Sequence, residues 1–401
     1  MPAAPDPRHL AQRALLAWER SGGTTYAETL VSRAIRNAAL PERDRPLLNA
    51  LVHGVLRNRT LLDFWIASLS TRQNRRLPDD LRQLLRIALF QLLVQLASPH
   101  AAVHSCVQLA RRPLRGFANA LLRRADRERD QLESLALAAP WETRFSHHQF
   151  LIDRWIDHFG EASTENLLRW NNSPAINFVR FADLSFEEST GGLDQDALAR
   201  GEIYVQDPST ALAPKLLAPR PGERILDACA APGGKCLFLS ALADHSAQLV
   251  ATDLSPGRLA TRRENLDRSP HTRSIATHQH DWAAGVHPDL GLFDAILVDA
   301  PCSNTGVLRR RVDARWRLTP ESFAACAHLQ TQILTHAAAH LKPGGRLVYS
   351  TCSIDPTENE AVAQAFARAH PEFEPGEPRS TLPHIDGLDG AFTIPFFKNL
   401  E

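Results

Sequence analysis

The chain has 401 residues and a mass of 44.5 kDa, too much for one small domain and suited to two or three. Its 44% hydrophobic and 22% charged residues exclude a disordered chain, and no uncharged apolar run of about 18 residues predicts a membrane span. The net charge of zero hides an asymmetry: residues 1–140 carry 21 Arg, no Lys and 12 acidic residues, an excess of nine positive charges balanced by nine negative ones in the remainder. A basic half of this size predicts a polyanionic partner, RNA rather than DNA; the competing reading is that these Arg residues decorate solvated helix faces. The segment from Met1 to Leu10 lacks the basic, apolar and cleavage-site pattern of a secretory signal. The six cysteines, Cys106, Cys229, Cys236, Cys302, Cys326 and Cys352, contain no C-x-x-C pair. No metal site and no disulfide framework is expected, and a reducing cytoplasm is.

From Arg8 to about Ala125 apolar residues recur at spacings of three and four, as in Leu47, Leu48, Leu51, Val52, Val55 and Leu56, and again in Leu81, Leu84, Leu85, Ala88, Leu89, Leu92 and Leu93. That period predicts amphipathic helices, punctuated at Gly22-Gly23, Pro41, Pro78, Pro99 and Pro113, and no strand. The ordered pieces Glu42 to Arg45, Val52 to Arg57, Leu85 to Leu92, Ala101 to His104 and Phe117 to Arg124 resemble the NusB family. The resemblance implies an all-α RNA-binding domain over residues 1–125. Residues 126–140, charged and then Ala-rich, read as a linker. Residues 141–205 read as a small connecting subdomain: a helical stretch from Leu151 to Trp170, a stop at Asn171-Asn172-Ser173-Pro174, and an alternating, strand-like run from Ile176 to Phe181.

From residue 206 the pattern changes. Strands are predicted at 224–229, 248–253, 274–279, 294–299 and 346–351, with helices at 234–243, 256–267, 319–340 and 356–370. Such alternation predicts an α/β, Rossmann-like domain over 206–401 with a mainly parallel sheet, whose ligands sit beyond the carboxyl ends of the strands. The first strand runs into Asp227-Ala228-Cys229 and a turn of small residues, Ala230-Ala231-Pro232-Gly233-Gly234-Lys235, where backbone can approach a ligand closely. The second strand ends at Asp253, twenty residues beyond Gly233, placed to accept hydrogen bonds from a ribose diol. The third is followed by Asp281-Trp282, suited to an adenine amine and ring. The turn is neither G-x-G-x-x-G nor a Walker loop, since no Ser or Thr follows Lys235. S-adenosylmethionine therefore ranks ahead of a dinucleotide or a nucleoside triphosphate.

The fourth strand runs through Asp299 into Ala300-Pro301-Cys302-Ser303, and the fifth through Thr351 into Cys352-Ser353. In the common methyltransferase strand order these two are neighbours, roughly 4.8 Å apart, so the two cysteines should meet above the cofactor edge. Cys106, Cys229, Cys236 and Cys326 read as packed structural thiols. Cys302 and Cys352 lie past strand ends in polar company, where apolar packing stops. A thiolate beside S-adenosylmethionine suits carbon methylation of a pyrimidine: addition to carbon 6 makes carbon 5 nucleophilic, and a second thiol can assist release. An exocyclic-amine methyltransferase would instead carry Asn/Asp-Pro-Pro-aromatic after the fourth strand.

The runs Asp227 to Lys235, Asp299 to Ser303, Tyr349 to Glu360 and Gln206 to Thr210 closely resemble the RNA (cytosine-5) methyltransferases of the RsmB/Sun/NOP group. A NusB-like front points within it to the bacterial 16S rRNA branch. The resemblance covers nearly the whole chain. It implies that Cys352 is the nucleophile and Cys302 the helper of product release. Cys229, Ala230, Ala231, Pro232, Gly233, Gly234 and Lys235 would line S-adenosylmethionine, with Asp253 on its ribose and Asp281 on its adenine. Asp299 would sit between cofactor and base, holding the cytosine's amidine edge, and Lys235 would reach toward the base. It further implies 16S rRNA as substrate, with tRNA or another rRNA cytosine as the alternative, and a monomer in the cytoplasm. The sequence departs from the family at Asn304, where Gly is usual, at Asp389-Gly390-Ala391-Phe392, where Asp-Gly-Phe-Phe is usual, and after Asn177, where Arg-Val-Asn is missing. Arg309, Arg310, Arg311, Arg315, Trp316 and Arg317 follow Cys302 closely and predict phosphate clamping and base stacking. A non-catalytic RNA-binding assembly factor is the contrasting reading, and the intact cysteines and acids argue against it.

Overall fold

The computed structural model describes residues 5–70, 77–189, 192–268 and 275–400. The chain divides into two units, one made of Met1–Ser173 with Leu308–Leu318 and the other of Pro174–Val307 with Thr319–Glu401.

The first unit is helical. Helices Pro7–Arg20, Ala27–Ala38, Arg45–Arg57, Arg59–Leu69, Asp79–Leu89, Pro99–Leu109 and Arg115–Arg127 follow one another, and no strand occurs among the described residues before Phe178. Local chemistry sets their ends. Asp6 accepts from the Arg8 N–H at 2.8 Å and Pro7 opens the first helix, a capping pattern that satisfies one free donor without needing another. The Asp79–Leu89 helix starts with two acids at its positive end and buries Leu81, Leu84, Leu85, Ala88 and Leu89, the stripe that the sequence period predicts. Gly54 is a packing requirement: a Cβ there would stand 2.0 Å from the Phe90 ring. Arg86 is not surface decoration. It is buried, donating to Asp63 Oδ1 and Oδ2 at 2.7 and 2.6 Å and to Glu19 Oε1 at 2.6 Å.

The expected linker and connecting subdomain, residues 126–205, do not form a unit of their own. Residues 129–138 are a helix whose Leu132 and Ala136, four apart on one face, join the helical core; Trp65 Nε1 donates to the Leu132 carbonyl at 3.0 Å. Helices Gln149–Phe159 and Glu161–Asn172 belong to the same unit. The expected phosphate clamp is corrected at Arg309, Arg315 and Trp316. Segment Leu308–Leu318 is part of the helical unit. Val312 enters its core, Trp316 Nε1 donates to the Leu56 carbonyl at 2.9 Å, and the Arg309 guanidinium lies 4.1 Å above the Trp170 ring. Arg315 is fully buried. It donates to Asn172 Oδ1 at 2.8 Å, to the carbonyls of Asn171 and Leu308 at 3.1 and 3.3 Å, and to those of Arg57 and Ser146 at 3.4 Å. Burial, then the charge of Arg57, pulls its pKa well below the ordinary Arg value. A guanidinium fixed by five oxygens holds protein rather than phosphate.

The second unit carries the sheets. We number strands in chain order: β1 Phe178–Phe181, β2 Phe186–Glu188, β3 Ile203–Val205, β4 Arg224–Asp227, β5 Gln248–Asp253, β6 Ala276–Gln279, β7 Phe293–Asp299, β8 Leu341–Thr351, β9 Phe373–Pro375, β10 Arg379–Thr381 and β11 Ala391–Lys398. The first three form a small antiparallel sheet in the order β2-β1-β3. The large sheet runs β10-β11-β8-β7-β4-β5-β6, with β9 paired to β11. The stretch from β8 to β6 is parallel, as the alternation predicts, and β11 closes it antiparallel to β8. Ile225, Leu226, Ala295, Ile296, Leu297, Leu347 and Val348 are fully buried, the run of apolar residues that a sheet covered on both faces requires. The predicted strand 274–279 starts at a residue outside the described ones. Helices Gly234–Leu242, Pro256–Asp267, Pro320–Ala338 and Glu360–Ala369 link the strands, and β8 begins five residues earlier than the predicted 346.

Replacing Arg315 by Met keeps the aliphatic stem and leaves those oxygens unmatched. Unfolding in urea, followed by helical circular dichroism of the full chain, should show a loss of about 2–4 kcal/mol; an unchanged midpoint would mean that Arg315 contributes no net stability.

Candidate active site

The register of two strands builds the site. Asp299 of β7 stands opposite Ser350 of β8, and the Ala300 N–H donates to the Ser350 carbonyl at 2.9 Å, carrying the pairing past the strand end. The next residues of both chains leave the sheet together, and Cys302 Sγ lies 3.2 Å from Cys352 Sγ. The expected meeting of the two cysteines is therefore present in the geometry.

A buried polar network sets the two loops. Glu358 accepts at Oε2 from the Ser303 N–H at 2.8 Å and from Gln330 Nε2 at 3.0 Å, and at Oε1 from Ser353 Oγ at 2.7 Å. Its carbonyl accepts from the Tyr349 hydroxyl at 2.6 Å. Asn359 accepts from Thr351 Oγ1 at 2.6 Å and donates to the Ser353 carbonyl at 3.0 Å. The motif from Tyr349 to Glu360 is thus a brace that fixes the backbone on both sides of Cys352. Gln330 lies far from any quoted motif and carried no signal in the sequence. Behind the loop, the Gly306 N–H donates to the Cys352 carbonyl at 3.0 Å and the Gly390 N–H to the Gly306 carbonyl at 2.8 Å. A Cβ on either glycine would approach the other's backbone to 2.6–2.7 Å. The Asp389-Gly390 pair therefore backs the loop, with the Asp389 N–H donating to Asp207 Oδ1 at 3.2 Å. Phe392 stacks edge-on against Tyr349.

On the cofactor edge, Gly233 has φ +108, a conformation other residues avoid, and it opens the Gly234–Leu242 helix. Cys229, Ala230, Ala231 and Pro232 form the turn ahead of it. The Ala230 N–H donates to the Thr252 carbonyl at 2.9 Å, and Arg180 Nη1 donates to the Gly234 carbonyl at 3.3 Å. Asp253 is buried at the end of β5 and already accepts from the Ala231 N–H at 3.2 Å and the Ser255 N–H at 3.1 Å, which leaves one lone pair on each oxygen. Arg258, which the sequence reading did not single out, lies 3.6 Å from Asp253 Oδ2 and donates to the Ala231 carbonyl at 2.6 Å. Asp281 accepts from the Ala283 N–H at 2.9 Å. Trp282 is a correction to the sequence reading. Its ring is buried in the core beneath the sheet and Nε1 donates to Thr252 Oγ1 at 2.8 Å, so it is no platform for an adenine.

The charges of the site are concentrated around Lys235. Its Nζ donates to Asp299 Oδ2 at 2.6 Å. Burial pulls the Lys235 ammonium down, but Asp299, with smaller help from Cys352 and Asp227, holds it above the ordinary Lys value. Cys302 is pushed well above an ordinary thiol, first by its hydrogen bond with Cys352 and then by burial. Burial likewise pushes the Cys229 thiol up, which keeps it a neutral wall of the turn. Asp227, at the end of β4, is fully buried and neither carboxylate oxygen has a hydrogen-bond partner among the described residues. Burial, then Asp299, raises its pKa to about 7. The sequence marks Asp227 as the end of a strand and the head of the run to Lys235, and assigns it no contact.

An acid whose pKa is raised on folding binds protons more tightly in the folded state, so stability is greatest below the unfolded value of about 3.9 and falls as pH rises through 7. On that basis Asp227 costs on the order of 4 kcal/mol at neutral pH. The difference in stability between Asp227→Asn and the parent chain, measured in urea without ligand, should swing in the variant's favour as pH rises from 4.5 to 7.5. A pH-independent difference would place the Asp227 proton elsewhere.

Comparison with known proteins bears on the family and the fold. Residues 214–389 match the family model described as 16S rRNA methyltransferase RsmB/F, and residues 5–127 match the NusB family. The chain is 31% identical to the probable ribosomal RNA small subunit methyltransferase B of Bacillus subtilis (strain 168), covering 96% of this chain and 97% of the relative. It is 35% identical to the ribosomal RNA small subunit methyltransferase B of Thermus thermophilus, covering 96% of each. Its fold is shared with the crystal structure of PH0851, at 22% identity and a TM-score of 0.75 over 99% of this chain and 100% of that one. A parallel-sheet methyltransferase fold, an all-α NusB domain and identity of this extent along almost the entire length place the chain in the ribosomal RNA small subunit methyltransferase B (RsmB/Sun) family.

Proposed function

We propose that this protein transfers a methyl group from S-adenosylmethionine to carbon 5 of a cytosine in 16S rRNA through a covalent cysteine adduct. The observation that carries the reading is the 3.2 Å approach of Cys302 and Cys352, just past the ends of adjacent parallel strands, with Lys235 paired to Asp299 at the end of one of them. The residues fit the cofactor. Among the described residues Asp253 accepts one hydrogen bond on each oxygen, Asp281 one on Oδ1 and the buried Asp227 none on either, which suits a ribose diol, an adenine amine and a cation in turn. A cationic ligand with N–H donors relieves such a group. When bound, S-adenosylmethionine supplies an electrophilic methyl group.

The chain's own residues perform the remaining steps. The Cys352 thiolate adds to carbon 6 of the base, forming a carbon–sulfur bond and making carbon 5 the nucleophile. Asp299, held by Lys235, accepts from the cytosine's amidine edge and fixes the ring. Once the Cys352 sulfur is bonded to carbon, it no longer hydrogen-bonds or repels as a thiolate, so the main cause of the high Cys302 pKa disappears. Cys302 then gives up its thiol proton to solvent more easily, its thiolate takes the carbon 5 proton, and the electron pair left behind forms the carbon 5–carbon 6 double bond as the carbon–sulfur bond breaks and returns the Cys352 thiolate. The basic helical domain contributes phosphate contacts, and the reading assigns the protein to the cytoplasm, as a monomer, with no DNA or membrane partner. Relatives named as ribosomal RNA small subunit methyltransferases support rRNA over tRNA.

Cys302→Ala should stop after methyl transfer, with the thioether still in place. Incubated with S-adenosylmethionine and 16S rRNA, it should give a slow band that survives denaturing electrophoresis and is absent without the cofactor. Cys352→Ala should give neither band nor 5-methylcytosine by bisulfite sequencing. A band from Cys352→Ala and full turnover by Cys302→Ala would exchange the two roles; no band from either would remove the covalent mechanism.

A further inference from the structure

Asn304 has φ +62, a conformation that glycine adopts freely and that Asn tolerates among residues with a side chain. The backbone therefore does not need this side chain, and what the side chain touches has to account for it. Asn304 Nδ2 donates to the Cys302 carbonyl at 2.8 Å. A carbonyl can only accept, so this contact fixes the orientation of the amide. The amide oxygen then faces the other cysteine: Cys352 Sγ donates to Asn304 Oδ1 at 3.6 Å, within reach for sulfur. Cys302 Sγ stands 3.2 Å from the same Cys352 sulfur. With both thiols protonated, one arrangement uses every proton. Cys302 donates to the Cys352 sulfur, and Cys352 donates to Asn304 Oδ1.

We propose that Asn304 is a positioning residue for Cys352, holding its sulfur as an aimed thiol in the resting protein, so that forming the thiolate requires breaking this hydrogen bond. The proposal rests on the reading of Cys352 as the nucleophile. A hydrogen bond accepted from the neutral form disfavours ionisation, and a carbonyl dipole pointed at sulfur disfavours the thiolate again. The other groups facing the pair act differently. Lys235 interacts electrostatically with Cys352 and favours its thiolate, and Asp299, 2.6 Å from Lys235, offsets that pull. Glu358 and Tyr349 act on Cys302, and Asp227 acts on Lys235. Among these side chains Asn304 is uncharged, so its effect can be removed without changing the net charge of the site.

The test uses the full chain without RNA or S-adenosylmethionine. The rate of iodoacetamide alkylation at Cys352 is followed by peptide mass spectrometry across neutral to alkaline pH. Asn304→Gly keeps the backbone conformation and removes the acceptor. Its alkylation midpoint should move to lower pH, with a rate at neutral pH roughly fivefold higher, the effect of one ordinary hydrogen bond. Asn304→Asp places a negative charge at the same oxygen, and its midpoint should move up. Parent-like profiles in both variants would overturn the proposal, because a purely structural loop residue would leave the ionisation of Cys352 unmoved. A shifted alkylation profile in Asn304→Gly, with no matching shift in the acidic limb of its methylation rate, would overturn the link to turnover. Full methylation by Cys352→Ala would instead defeat the reading of Cys352 as the nucleophile, while the alkylation result would still report on the contact itself.

Discussion

The pairing of β7 with β8 is the constraint on which the site depends. Parallel strands with Asp299 opposite Ser350 leave the sheet at the same level, and both chains then turn over one edge. A slip of one residue would send every side chain of β8 to the opposite face, burying polar groups and parting the thiols. Register is secured at both ends. Toward the start, Phe293, Ala295, Leu341 and Leu347 are fully buried. Toward the end, the Ala300–Ser350 bond and the Glu358 brace tie the two exits together. The sheet core and the catalytic geometry are therefore one structure viewed at different heights.

That brace explains why so many polar residues crowd around two cysteines. Ser303, Thr305 and Ser353 hydroxyls lie 3.0–3.2 Å from one another, and Thr305 Oγ1 accepts from the Ile354 N–H at 3.1 Å. Each satisfies a buried group that would otherwise cost about 1–3 kcal/mol. Glu358 is fully buried and tolerable there because three donors converge on its carboxylate. Loops held in this way present the thiols without rearrangement, as the proposed addition to an unstacked base requires.

The edge of the sheet was legible because strand ends are local events. Asp227, Asp253 and Asp299 each close an apolar run, and the small residues from Ala228 to Gly234 announce a close turn. The cysteines were legible for the same reason: Cys302 and Cys352 stand just past such runs. What failed was every inference that needed to know where a side chain goes after leaving its own element. Trp282 follows Asp281 in sequence, yet its indole drops into the core onto Thr252. Arg315 and Trp316 follow the Cys302 loop, yet they are spent on the carbonyls of a helical core. Residues 129–138 are charged and Ala-rich, and only the contact of Leu132 and Ala136 with that core makes them a helix of the unit rather than a linker. Charge runs do not reveal their partners, because Arg reaches far and pairs equally well with carbonyl, carboxylate or phosphate.

The electrostatics of the site follow from a surplus of acid. Asp227, Asp253 and Asp299 surround a turn whose nearby cations are Lys235, the more exposed Arg258 and the buried Arg262. Lys235 is committed to Asp299, and Arg258 leans on Asp253. Burial and the charge of Asp299 outweigh the help that Asp227 receives from Lys235 and Arg262. An unpaired buried acid is a poor device for stability and a good one for selecting a positively charged ligand, since the relief of desolvation is available only to a cation that reaches it. The same surplus disciplines the thiols. Negative charge near the pair adds to the cost of a Cys302 thiolate, which its hydrogen bond with Cys352 and its burial already raise. In the proposed mechanism, a carbon–sulfur bond at Cys352 removes the hydrogen bond that most raises Cys302, so release follows addition.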